Sequence, residues 1–246
     1  MLSRDARHHA LDQVGIDGQQ RIAAGTVLII GAGGIGCAAA QYLASSGLGH
    51  LKVADFDTID VTNLGRQVLY RADDVGKRKA EVAASRLRAM HPDIKTTPLT
   101  ERLQGNELAA AVASSDLVLD GCDNFATRFQ VNDACVAAGR RLISGSAIRL
   151  EGQLAIFGPD YTAAPCYRCL YTEADESLDS CAGNGVLSPV PGVIGTMMAV
   201  EALKFFAGIA SDNSTLHLYD AAATQFQSLK INKREECPTC GSPSAK

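Results

Sequence analysis

The chain lacks any long basic run, any internal repeat and any low-complexity linker, and no apolar stretch reaches the ~18 residues needed to span a bilayer. The missing basic run, together with a net charge of −4, argues against a general nucleic-acid or membrane-surface binder. The first residues, Met1-Leu-Ser-Arg-Asp-Ala-Arg-His-His9, are polar and charged, unlike the apolar core of a secretory signal. Eight cysteines without such a signal point to a reducing cytoplasm, where thiols serve metals or chemistry. What is present is ordinary for a globular protein: 246 residues, 46% apolar and 20% charged, enough to bury a substantial core.

Apolar runs alternate with helical patterns over the first two thirds. Strands are predicted at Thr26–Gly31, Leu51–Phe56, Ile94–Leu99, Leu117–Gly121 and Arg141–Ser144. Between them lie an Ala-rich helix ending near Ser45 and helices at Gly76–Met90, Asn106–Ser114 and Asn124–Ala138. This alternation predicts an α/β fold, a Rossmann-like doubly wound and mainly parallel sheet. After Ser146 the pattern changes to a strand at Gln153–Phe157, a long mobile loop over 171–191 and an apolar helix at Val193–Phe206. That helix is apolar on nearly every side, so it is expected to be deeply buried or in a subunit interface. A closing antiparallel hairpin is expected from Thr215–Tyr219 and Gln225–Ile231. The chain reads as one domain, with an N-terminal helical arm (1–25), a nucleotide-binding part (26–146) and an elaborated C-terminal part (147–246).

Gly31-x-Gly33-x-x-Gly36, after a strand and before a helix, is the dinucleotide fingerprint. Its glycines let the backbone approach a phosphate, and the helix N-terminus supplies oriented N–H donors. Asp55, in the cluster Asp55-Phe-Asp57 at the end of the second strand, is placed to bind a ribose hydroxyl pair. These features suit an adenine nucleotide and leave NAD and ATP both open. Arg66 in Thr62-Asn-Leu-Gly-Arg-Gln67, Lys79, and Asp123 at the end of the fourth strand favour a triphosphate with Mg²⁺. A nicotinamide would need a proton donor, and no histidine sits at a matching strand end. An NAD-dependent oxidoreductase remains the rival from another class, and a non-catalytic carrier-binding scaffold is a third reading.

Cys166-Tyr-Arg-Cys169 and Cys237-Pro-Thr-Cys240 have the paired spacing of a tetrahedral zinc site, the alternative being two unrelated redox or buried pairs. Four thiolates would close the metal's coordination, so the expected zinc is structural. Cys181 stands outside these pairs, in the polar loop, where a thiol could attack an activated acyl group. Cys37 and Cys135, on helices among alanines, read as small core residues, and Cys122 as packing. His8 and His9 are read as exposed or capping residues in preference to metal ligands.

Taken together, Gly-Ala-Gly-Gly-Ile-Gly, Ala-Asp-Phe-Asp, Asn-Leu-Gly-Arg-Gln, Asp-Asn-Phe-Ala-Thr-Arg, Cys-Tyr-Arg-Cys-Leu and Cys-Pro-Thr-Cys-Gly resemble the MoeB/ThiF/HesA family over nearly the whole chain. These are bacterial relatives of the ubiquitin-activating enzymes. The resemblance implies ATP-dependent adenylation of the C-terminal Gly-Gly of a ubiquitin-fold sulfur carrier, MoaD-like for molybdopterin or ThiS-like for thiamine, with release of pyrophosphate. It implies a nucleotide site of Gly31, Gly33, Gly34, Gly36, Asp55, Asp57, Thr62, Asn63, Leu64, Gly65, Arg66, Lys79, Asp123 and Asn124. In that site Asp123 would help hold Mg²⁺, and Arg66 and Lys79 the phosphates. It also implies a homodimer in which Arg7 reaches the partner's ATP, a covalent or catalytic role for Cys181, and a cysteine desulfurase or rhodanese-type sulfur donor. Gly65 stands where the family usually has Gln, which implies a looser phosphate loop, and Asp5 replaces the expected tyrosine in the arm.

Overall fold

Thr26–Ile30 (β1) forms the centre of the sheet, and its unbroken apolar run follows from burial on both faces. Val27 and Ile29 belong to the core on one face, and Leu28 and Ile30 to the core on the other. The computed structural model describes residues 4–172 and 185–241. Among them the strands β2 (His50–Ala54), β3 (Lys95–Leu99), β4 (Leu117–Asp120), β5 (Arg141–Ile148), β6 (Glu151–Phe157), β7 (Thr215–Asp220) and β8 (Gln225–Lys230) complete one eight-stranded sheet. Its order is β3-β2-β1-β4-β5-β6-β7-β8. The first five strands are parallel, and β6, β7 and β8 extend the sheet antiparallel. The α/β fold with C-terminal antiparallel strands is therefore as the sequence predicts.

The helices are α1 (Ala6–His9), α2 (Gly15–Ala24), α3 (Gly34–Ser45), α4 (Lys79–Met90), α5 (Gly105–Ala113), α6 (Phe125–Ala138), α7 (Tyr167–Leu170) and α8 (Pro189–Ala207). α3, α4 and α8 pack on one face, while α5, α6 and the cysteine knuckles cover the other. The chain turns one way from β1 to β2 and the other way to β4, which opens a crevice at the carboxyl ends of these strands.

Three expectations need correction. β5 runs on to Ile148 instead of ending at Ser144, because β6 pairs with it from Leu142 to Ile148. Gly145, within the extended strand, marks close packing: a Cβ there would lie 2.5 Å from Met198 Sδ on α8. The last long helix begins at Pro189, so residues 189–191 are helix, not loop. Its two prolines fall in the first turn, where a missing N–H costs no hydrogen bond. Finally, α8 is long and apolar enough, by length and composition, to cross a membrane. Half of it is buried inside the protein, against α3, α2 and the β5–β6 part of the sheet, and that burial accounts for its apolar character. Glu201 and Lys204, its charged pair, bond to each other at 2.7 Å.

Contact between α3 and α8 depends on backbone proximity. A Cβ on Gly195 would lie 2.2 Å from Ile35 O, and one on Gly34 would lie 2.9 Å from Pro191 Cβ. Gly195→Ala should therefore push the two helices apart and cost about 1–3 kcal/mol in urea unfolding. An unfolding midpoint equal to that of the unchanged protein would contradict this packing account.

Candidate active site

The Gly-rich turn is built by close approach. Gly31 has φ +90°, and a Cβ on it would lie 3.0 Å from Gly121 O, so the ends of β1 and β4 meet only through glycine. A Cβ on Gly36 would lie 1.9 Å from Gly31 O, which seats the first turn of α3 directly on the strand end. Gly33 is the N-cap of α3, so the helix's first amides and its positive end face the crevice.

One peptide group anchors this turn. Ala32 N donates to Asp55 Oδ2 at 2.8 Å, and Ala32 O accepts from Tyr70 Oη at 2.8 Å and from Cys37 Sγ at 3.2 Å. Burial pushes the Tyr70 phenol up, so its hydroxyl remains a donor, and it pushes the Cys37 thiol up to about 12. Asp55 Oδ1 accepts from Asp57 N at 2.9 Å, so both carboxylate oxygens hold the backbone as well as facing the crevice. Burial raises the Asp55 carboxyl, against the opposing pull of Lys79 and these N–H donors.

Around this turn lies a cavity of about 340 Å³. Of the expected site residues, Gly31, Gly33, Gly34, Asp55, Asp57, Asn63, Arg66, Lys79, Asp123 and Asn124 line it. Lys79 is 7% exposed, and its Nζ pairs with Asp57 Oδ2 at 2.9 Å, so its charge is held by a carboxylate. Arg66 Nη1 donates to Thr62 O at 3.0 Å. Asp123 is exposed at the cavity and lies in the loop after β4, beyond the strand end at which the sequence places it. The side-chain oxygen of Asn124 accepts from Thr127 N at 2.9 Å and caps α6.

The remaining expected residues do not line the cavity. Gly36 serves packing, Leu64 packs against the core, and Thr62 contributes the carbonyl that holds Arg66. A Cβ on Gly65 would meet only Ser188 Oγ, at 3.9 Å, so a larger side chain has room there. Arg7 is exposed on α1, away from the cavity of its own chain. His8 Nδ1 bonds Gln19 Oε1 at 2.8 Å, tying α1 to α2. Cys181 lies outside the described residues. Cys122 lines the cavity with its thiol pushed up by burial, while Cys37 and Cys135 are core residues.

Sequence reasoning missed three supporting residues. Arg128 reads as an ordinary helix residue, yet it is 6% exposed and faces fully buried Asp120 at 3.5 Å. Its guanidinium also bonds Ser144 Oγ at 2.9 Å, Gly145 O at 3.0 Å and Cys122 O, which fixes the loop carrying Asp123. The other two are Tyr70 and Gln67, both buried behind the Gly-rich turn. Arg128 and Gln67 each end a motif quoted above, Asp-Asn-Phe-Ala-Thr-Arg and Asn-Leu-Gly-Arg-Gln, while nothing in the sequence singles out Tyr70.

The two Cys-x-x-Cys pairs meet on the far side of α6. The sulfurs of Cys166 and Cys237 are 3.6 Å apart and those of Cys169 and Cys240 3.4 Å apart, and all four lie within 4.8 Å of one another. A tetrahedral ion with ligand bonds of ~2.3 Å needs sulfurs about 3.8 Å apart, so the set fits zinc, with no position left open for water. The Cys169 thiol falls to about 4, chiefly through its hydrogen bond with Cys166, whose own thiol rises in exchange. α6 holds both knuckles: Asn132 Oδ1 accepts from Tyr167 N at 2.8 Å, and Asp133 accepts from Arg168 Nε at 2.9 Å and from Thr239 Oγ1 at 2.7 Å.

Arg128→Met should leave Asp120 as an uncompensated buried charge, costing about 3–5 kcal/mol in urea unfolding. Adding Asp120→Asn should recover part of the loss. Equal stability of the single and double variants would show that the pair is not coupled.

A family model described as the ThiF family matches residues 6–239. The sulfur carrier protein ThiS adenylyltransferase of Escherichia coli is 43% identical over 242 residues, 98% of this chain and 96% of its own length. The molybdopterin-synthase adenylyltransferase of the same organism is 45% identical over 226 residues, 92% of this chain and 90% of its own. Among solved structures, Escherichia coli MccB with ATP is similar at a TM-score of 0.85 and 24% identity, covering 98% of this chain and 74% of that one, a likeness of fold. With its motifs, its sheet order and its cysteine clasp in place, this chain belongs to the ThiF family.

Proposed function

We propose that the protein is a nucleotidyltransferase that uses ATP to adenylate the C-terminal Gly-Gly carboxylate of a ubiquitin-fold sulfur-carrier protein. The observation that carries this reading is the convergence of helix α3's N-terminus, Asp55, Arg66, Lys79 and Asp123 on one cavity at the topological switch point of the sheet. Two relatives covering nearly the whole chain, both named as adenylyltransferases, support it.

A carboxylate oxygen of the carrier attacks the α-phosphorus of ATP. A new C–O–P link forms, the bond from the α-phosphorus to the bridging oxygen breaks, and its electron pair leaves with pyrophosphate. Both reactants are anions, so the protein's work is to cancel repulsion and hold the two groups in line. The backbone N–H groups at the start of α3 face the phosphates. Asp55 binds the ribose through the lone pairs its backbone contacts leave over. Lys79 shifts from Asp57 towards the departing phosphates, and Arg66 adds the second charge. Asp123 would hold Mg²⁺, which when bound neutralises further phosphate charge.

Several finer features belong to the same reading. The exposed position of Arg7 suits a homodimer in which Arg7 of the partner subunit completes the cavity. Cys181 would act on the acyl-adenylate. The four-cysteine cluster would hold a structural zinc ion. The same reading places the protein in a reducing cytoplasm, where thiols stay available to a metal. The two Escherichia coli relatives, named for ThiS and for molybdopterin synthase, are matched to nearly the same degree, so ThiS-like and MoaD-like carriers are both substrates to test. A cysteine desulfurase or rhodanese-type protein would then supply sulfur to the activated carrier.

Carrier-dependent exchange of labelled pyrophosphate into ATP tests the reaction. Lys79→Ala and Arg66→Ala should each lower the exchange rate on the order of 10²–10³-fold, and near-normal exchange in both variants would overturn their assigned roles. Elemental analysis of the purified protein should find one zinc per chain, absent from Cys237→Ser. Loss of the metal should also depress the melting temperature, by about 2–4 °C for each kcal/mol of binding lost. A metal-free protein of unaltered melting temperature would remove the zinc assignment.

A further inference from the structure

Gln67 is a buried polar side chain of the cavity wall that these roles leave unused. Gln67 follows Arg66, and its backbone N–H donates to Asn63 O at 2.9 Å, closing a turn over residues 63–67. The residue is 3% exposed and lines the cavity. Its Oε1 has no hydrogen-bond partner, one of only a few such buried atoms among the described residues. Its Nε2 lies 3.8 Å from the place a Cβ on Gly33 would occupy, so the carboxamide sits beside the N-terminus of α3.

Buried polar atoms are nearly always paired, and an acceptor left unpaired costs more than an apolar group of the same shape. A position that needed only volume here would be filled better by methionine or leucine. The unpaired oxygen therefore points to a donor brought by a ligand. The triphosphate carries only acceptors on this side. The hydroxyl donors of the ribose belong with Asp55, on the other strand end. The remaining groups on this wall, the α3 amides and Arg66, all favour an anion. An acceptor set beside an anion site matches a group that carries an N–H close to a carboxylate. A C-terminal glycine has this form, with its peptide N–H two bonds from the carboxyl carbon.

We propose that Gln67 is a contact residue for the acyl substrate, its Oε1 accepting the peptide N–H of the terminal glycine and so orienting the carboxylate towards the α-phosphate. This rests on the adenylation reading above. It adds a residue that recognises the backbone of the carrier's tail, which makes the last residue's N–H part of the substrate's specificity.

The test pairs a variant with a modified substrate. ThiS-type and MoaD-type carrier proteins are prepared by semisynthesis with either the natural Gly-Gly end or a Gly-sarcosine end, in which N-methylation removes the N–H. Pyrophosphate exchange is measured with the unchanged protein and with Gln67→Met and Gln67→Leu, alongside binding of a non-hydrolysable ATP analogue. Sarcosine should raise the KM for carrier roughly tenfold in the unchanged protein, the loss expected for one hydrogen bond. In the folded apolar variants, whose KM is already raised, sarcosine should add less than about twofold, and analogue binding should stay within about twofold of the unchanged protein. A full sarcosine penalty in the variants would show that the N–H is read elsewhere and overturn the proposal. So would a loss of analogue affinity with the carrier KM untouched. A purely structural role would lower the melting temperature and leave the two sarcosine penalties equal. Absence of carrier-dependent exchange in the unchanged protein, with the natural carriers, would instead remove the adenylation reading itself.

Discussion

The approach of α3 to the end of β1 is the constraint on which the rest of the molecule depends. Only a glycine at 36 lets the helix backbone come so near Gly31 O, and only a glycine at 31 takes the positive φ that lets β1 and β4 end side by side. These contacts aim the positive end of α3 into the crevice. They also bring the helix close enough for α8 to cross it through Gly195 and Pro191. The buried apolar helix and the cavity at the Gly-rich turn are therefore parts of one packing arrangement.

A second link runs through α6. Its N-cap, Asn124, stands at the cavity; one turn on, Arg128 ties the Asp123 loop to buried Asp120 and to β5; further on, Asn132 and Asp133 hold the two cysteine knuckles. A single helix thus spans the nucleotide crevice and the thiol cluster. An ion held by all four sulfurs would have no open position, so the cluster fits a structural role and not a chemical one. It fixes the segment after the hairpin against the helix that positions the Asp123 loop. Such buried charge pairs contribute little net stability against an apolar alternative, but they set geometry, because breaking one partner leaves the other stranded.

Much of this was legible in the sequence. Strand runs buried on both faces, the glycine spacing and the paired cysteines each have a local physical cause, so the parallel sheet, the crevice and the clasp could be anticipated. Element ends were less legible. Gly145 is a close-packing site within the extended strand, and Pro189 and Pro191 resemble loop residues but start a helix. Asp55 and Asp123 line the cavity from just beyond the ends of β2 and β4, so the strand pattern points close to both. Leu64 and Gly65, in the same motif as Arg66, do not line the cavity, because neighbours in sequence face different ways. The sequence shows no role for Tyr70 and Arg128, because theirs come from partners distant in the chain, and none for Gln67, because its burial is decided only on folding.

By itself, then, the sequence determined the order of strands and helices, the acidic, cationic and glycine residues available for a nucleotide, and the four thiols for a clasp. These follow from periodicity and spacing, which act over a few residues. The tertiary structure alone decided which of those side chains share a cavity, that Lys79 rests on Asp57, that Arg128 is buried against Asp120, and that Gln67 Oε1 is left without a partner. Such facts depend on contacts between segments far apart in the chain, where burial removes water and makes each unpaired or paired charge matter.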